Sequence, residues 1–145
     1  MRALAVLTLA LWLAAPWAAR ADEVPANLPP SDRAAIRSVI AGQLHAFRAD
    51  DAAAAFAYAS PGIQALFGDA GRFMAMVRTG YQPVYRPRSA DFGGLVEMEG
   101  RLAQKLRVVG PDGQPTLALY FMEHEADGTW KIDGCVLTES ADEGT

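Results

Sequence analysis

The chain has 145 residues, 51% of them hydrophobic, with 13 basic against 17 acidic side chains and a formal net charge of −4. That length suits a single domain with one real core, and the acidic balance lacks the basic footprint of a nucleic-acid partner. Cys135 is the single cysteine, which excludes an internal disulfide and leaves packing to hold the fold.

Residues 1–21 read as a secretory signal peptide. Arg2 precedes an apolar run over residues 3–15, Pro16 breaks it, and Ala19-Arg20-Ala21 supplies the small residues before a cut after Ala21. The run is shorter than the roughly 20 apolar residues that span a bilayer. No cysteine borders the cut to carry a lipid. Export to the periplasm or beyond is therefore expected, with no stable membrane anchor after cleavage. Loss of Arg2 and Arg20 leaves 11 of the 13 basic residues against 17 acidic ones, a net charge near −6 on about 124 residues.

Residues 22–30, "DEVPANLPP", form a polar, proline-rich lead expected to be mobile. Ser31 reads as an N-cap with Asp32 in the first turn, and Ile36, Val39, Ile40, Leu44 and Phe47 recur on one helical face. His45 lies opposite that stripe and reads as solvated. Asp50-Asp51 ends this helix and caps "AAAAFAYA"; Ser60-Pro61 starts a short helix that Gly68 stops. Asp69 opens the next, with Phe73, Met74 and Val77 inward and Gly80 as its stop. Three or four helices thus fill residues 31–79.

Pro83 and Pro87 in "GYQPVYRPRSADF" argue against both helix and a central strand. Tyr81 and Tyr85 can pin this segment over the core edge while Arg86 and Arg88 reach acids or carbonyls, which makes it a strut. The same aromatic and arginine residues also suit an interface.

Alternating segments then follow, separated by "EGR", "PDGQ" and "ADGT". Four strands are expected, at about 90–98, 102–109, 116–124 and 130–138. A two-residue Asp112-Gly113 turn sets Val108 against Leu117 and Gln104 against Phe121. An Asp127-Gly128 turn sets Leu119 against Val136 and Tyr120 against Cys135. A three-residue loop over residues 99–101 pairs Met98 with Leu102, keeping the apolar residues on one face. That register turns Phe92, Val96, Met98, Leu102, Leu106, Val108, Leu117, Leu119, Phe121, Ile132 and Val136 toward the helices. It leaves Leu95, Tyr120, Met122, Cys135 and Leu137 among the charges of the outer face. The fold class is α+β: three or four N-terminal helices packed on one face of a curved four-stranded antiparallel meander, one domain over residues 31–138 with a disordered tail at 139–145.

"FRADDAAAAFAYASPGIQALFG", "YQPVYRPRS", "VVGPDG" and "WKIDGCVL" together resemble the bacterial family labelled domain of unknown function 4864, over roughly residues 34–138. Helices before a curved sheet with a Trp-x-Ile last strand are also similar to the nuclear-transport-factor-2-like superfamily. That resemblance implies a cone enclosing a pocket, in isomerases, dehydratases and non-catalytic binding or pairing modules alike. The smaller family carries no established activity, so no catalytic residues transfer.

The residues themselves carry little chemistry. Alternation separates His124 from Glu123 and Glu125, so no metal site is expected. Neither a nucleophile motif nor a dinucleotide fingerprint occurs, and no cofactor is implied. Glu123, placed on the helix-facing side, is the candidate acid for isomerase-like chemistry, although an acid at a strand end more simply reaches water. The expectation is an exported binding or interaction module, with an isomerase- or lyase-like enzyme as the alternative. A small apolar ligand would meet Gln104, Glu123, Trp130 and Phe73. A homodimer would use Leu95, Tyr120, Met122 and Leu137, with Tyr81, Tyr85, Arg86 and Arg88 as further interface candidates.

Overall fold

The computed structural model describes residues 28–139, so the expected signal peptide, most of the lead and nearly all of the tail lie outside the described residues. The first helix, α1 (Pro30–Arg48), buries Ile36, Ile40, Leu44 and Phe47 on one face. Each such side chain contributes about 1.5–3 kcal/mol on leaving water. The helix starts before Ser31: Pro29 stands at the N-cap, with Pro30 in the first turn. A proline there has the right φ and no N–H that needs a cap.

Asp51, Ser60 and Asp69 cap α2 (Ala52–Ala57), α3 (Pro61–Phe67) and α4 (Ala70–Gly80), each accepting a backbone N–H from the residue three places on. α1 and α2 approach closely. Buried Gln43 donates its Nε2 to the Ala55 carbonyl at 3.1 Å, and a Cβ on Gly42 would collide with the Tyr58 hydroxyl. Phe73 and Met74 of α4 are buried, as the spacing predicts.

The segment after α4 does contain a helical turn, α5 (Gln82–Tyr85), contrary to the expectation from Pro83. That proline occupies the first turn, where its missing N–H costs nothing. The strut reading fits the contacts of its side chains. Arg86 donates to the Phe47 carbonyl at 2.6 Å and pairs with Asp50 at 2.9 Å, while the Tyr85 hydroxyl also bonds Asp50. Arg88 donates to the Pro111 carbonyl at 2.7 Å. The loop is thereby fastened to the end of α1 and to a sheet turn.

Four antiparallel strands follow in the order β1 (Ser89–Met98), β2 (Arg101–Val109), β3 (Pro115–His124) and β4 (Trp130–Glu139). Their extents match the sequence reading to within about a residue, but four details of register do not. Met98 pairs with Arg101 through a two-residue turn at Glu99 and Gly100, both at positive φ (52° and 76°), the hairpin geometry that matches strand twist. Glu97 does then face Leu102. A bulge between Phe92 and Leu95 returns both of these apolar residues to the helix side despite their odd spacing.

Between β2 and β3 the loop holds residues 110–114, with Val109 opposite Pro115, in place of a tight Asp112-Gly113 turn. Pro111 would have to donate one of the two bonds that close a two-residue hairpin, and it has no N–H. The expected pairs of Val108 with Leu117 and Gln104 with Phe121 are thus displaced by one residue. In β4 the expected pairs Leu119–Val136 and Tyr120–Cys135 are present, and a second bulge separates Gly134 from Ile132.

The slip reverses the assigned faces over much of β3. Tyr120 and Met122, with Leu95 from β1, are buried in the helix-packed core; Leu137 and Cys135 pack against it. None of them stands on an outer face. Phe92, Leu102, Leu106, Val108 and Ile132 do face the helices. Val96, Met98, Leu117, Leu119, Phe121 and Val136 lie outside that cluster, and Met98 and Val136 are exposed.

Candidate functional site

The free edge of β4 meets the helices in an unusual seam. Ser60 N–H donates to the Ile132 carbonyl (2.8 Å), and Ile132 N–H to the Tyr58 carbonyl (2.9 Å), so residues 58–60 add a short parallel bridge to the strand. Further along the edge, the Tyr81 hydroxyl donates to the Cys135 carbonyl at 3.1 Å. Between these two fastenings α3 and α4 stand away from the sheet and leave a pocket of about 440 Å³.

Its inner wall comes from α1 and α4 (Phe47, Phe73, Val77) and from the sheet (Tyr120, Ile132, Cys135). Phe73 is the centre of an aromatic group, with ring centroids 5.4 Å from Phe56, 5.6 Å from Phe67 and 6.3 Å from Phe47. Ile63, Leu66, Arg101 and Val136 are among the residues that line the remainder. Leu66 (74% exposed) and Val136 (46%) are two of the three large hydrophobic side chains exposed among the described residues. Gly134, at φ 154°, leaves the Phe121 ring open to the pocket.

Polar groups are few. The Tyr120 hydroxyl is buried without a hydrogen-bond partner, and burial holds its pKa well above that of a free phenol. Burial also pushes the adjacent Cys135 thiol up to about 12, a rise that the nearby Tyr120 hydroxyl opposes although no hydrogen bond of ordinary geometry joins the two. Arg101 is the one charged lining residue; it pairs with Asp133 at 3.0 Å and lies over the Phe121 ring at 4.2 Å. Asp133 in turn accepts the Ser60 hydroxyl at 2.7 Å, tying the β2 tip through β4 to the start of α3.

Of the four pocket candidates read from the sequence, only Phe73 lines this space. Gln104 is buried elsewhere, its Nε2 bracing the β1 bulge through the Gly93 carbonyl at 2.8 Å. Trp130 donates to Asp32 at 3.2 Å and stacks on His124 with centroids 4.2 Å apart. Glu123 is exposed on the face opposite Met122, so its expected helix-facing position is also reversed. Its carboxyl is held above the ordinary range by desolvation first, then by Glu125 and Asp133. Among the described residues no group of three or more His, Cys, Asp or Glu side chains is arranged to hold a metal ion.

Among the interface candidates, Tyr81 turns inward as part of the pocket, and Tyr85, Arg86 and Arg88 are engaged in the strut. Sequence reasoning missed Ile63, Leu66 and Val136 as one constellation, because they come together only across the β4 edge. Gly134 inside a strand pattern was the available signal for the bulge there.

The family model described as domain of unknown function (DUF4864) matches residues 30–145. No curated protein and no solved structure matches the chain.

Proposed function

The chain belongs to the family described as domain of unknown function (DUF4864), and we propose that it acts as a non-catalytic binding module for a small apolar molecule held between α3, α4 and β4. The observation that carries this reading is the apolar pocket itself, with a volume in the range that encloses small organic ligands and exposed Leu66 and Val136 in its wall. The signal-peptide pattern read in the sequence of residues 1–21 is in keeping with a working place outside the cytoplasm, which this reading proposes. The isomerase or lyase alternative is weaker, because Glu123 is not among the residues that line the pocket.

Native mass spectrometry on protein recovered from a host periplasm tests the reading, together with titration by the fluorescent probe N-phenyl-1-naphthylamine. A co-purifying small mass, or saturable fluorescence that Leu66→Glu weakens about tenfold, is expected. A dimer with no bound mass and no saturable probe binding would replace the ligand reading with an interaction module.

A further inference from the structure

The pocket's polarity says what kind of molecule fits, an inference that rests on the binding reading above. One hydroxyl on its inner wall makes no hydrogen bond of ordinary geometry, with the weakly polar Cys135 thiol beside it. The Gln43 amide gives an N–H to the Ala55 carbonyl, and the Tyr81 hydroxyl is used on the Cys135 carbonyl. The Tyr120 hydroxyl, on a residue 1% exposed, has no partner. A buried hydroxyl left unpaired is unfavourable, and an incoming acceptor would relieve it.

The same wall offers nothing to a buried charge. Arg101 is the only ionic lining residue, its side chain is 48% exposed, and Asp133 already pairs with it. A carboxylate carried inward would lose its hydration without gaining a cation. An ammonium would likewise find no carboxylate among the lining residues.

We propose that the occupant is a neutral, largely apolar molecule bearing one oxygen acceptor, such as a ketone, ester or amide, whose oxygen receives the Tyr120 hydroxyl hydrogen while its apolar body lies against Phe73 and Val77. No bond is made or broken; recognition is a single hydrogen bond inside an apolar enclosure. The rule explains why a tyrosine and not a phenylalanine stands at this buried position.

Octane, 2-octanone and octanoate form a matched series for competition against N-phenyl-1-naphthylamine. The ketone is expected to bind about tenfold more tightly than octane, and octanoate more weakly than the ketone. Tyr120→Phe should bring the ketone to the level of octane. The infrared carbonyl stretch of bound 2-octanone should lie at lower frequency in the unsubstituted protein than in Tyr120→Phe, a readout that loss of packing would not mimic. Equal binding of octane and 2-octanone, or preference for octanoate, overturns the polar rule while leaving the pocket reading in place. Failure of the probe and of all three competitors overturns both.

Discussion

Phe73 and Tyr120 set the two ends of the residue-scale behaviour. Phe73 is 6% exposed and touches three other rings, so Phe73→Ala should cost about 3–5 kcal/mol, seen as a lower urea midpoint. Tyr120→Phe removes a hydroxyl that has no partner, and should leave the empty protein as stable or about 1 kcal/mol more stable in the same measurement. Cys135 predicts an alkaline effect. In the unfolded chain its thiol ionises near 9, whereas in the folded protein it keeps its proton up to about 12. Between those values the folded state binds more protons, so stability should fall as pH rises. Cys135→Ala should flatten that part of the stability profile. Phe73 was legible from helical spacing because the aromatic lies on the apolar stripe of an eleven-residue helix whose start Asp69 marks. Tyr120 and Cys135 were legible as neighbours but not as pocket residues, since their inward direction depends on a loop whose length Pro111 decides.

At the scale of elements, local chemistry was easiest to read where one side chain does one job. Asp51, Ser60 and Asp69 each satisfy a free helix N–H, and each marks its helix start correctly. The bulges were harder, because Gly93, Gly94 and Gly134 permit an irregular strand without specifying one. The Glu99-Gly100 turn was hidden for the same reason: the mismatched faces it creates are offset only by the bulge beyond it. Gly100→Ala, at φ 76°, should destabilise by about 1 kcal/mol in thermal unfolding. The strut gives a second prediction. Arg86→Ala should cost about 1–3 kcal/mol through the lost bond to the Phe47 carbonyl, and Arg86→Lys should recover only part, because a single ammonium cannot serve Phe47 and Asp50 in the same fork. The Tyr85 hydrogen bond first, and Arg86 as well, hold the Asp50 carboxyl below its ordinary range. Its contribution is therefore present above about pH 4 and lost as acid protonates it.

For the whole molecule, the order of helices before a meander sheet was legible because each connection is short and each element carries its own period. Which face of the sheet the helices cover was not fully legible. One proline and two bulges move Leu95, Tyr120 and Met122 to the inside without altering any strand boundary. The pocket is a product of those same shifts. If it binds as proposed, a ligand at about one hundred times its dissociation constant should add about 2.7 kcal/mol of apparent stability, read as a rise in melting temperature. The gain should be unevenly spread. α3 contains no fully buried residue; its partly buried Ile63 and Phe67 rest against the core, and the Ser60 cap and Gln64, which reaches back to the Phe56 and Ala59 carbonyls at 3.1 Å, supply its polar fastenings. A wall so lightly tethered should exchange its amide hydrogens early, while the core strands are still protected. An occupant would bury more of Ile63, Leu66 and Phe67, the side chains α3 contributes to the pocket. The seven-residue helix would then work as a gauge: loose when the protein is empty, stiff when it is loaded, and legible from outside to anything that touches Leu66.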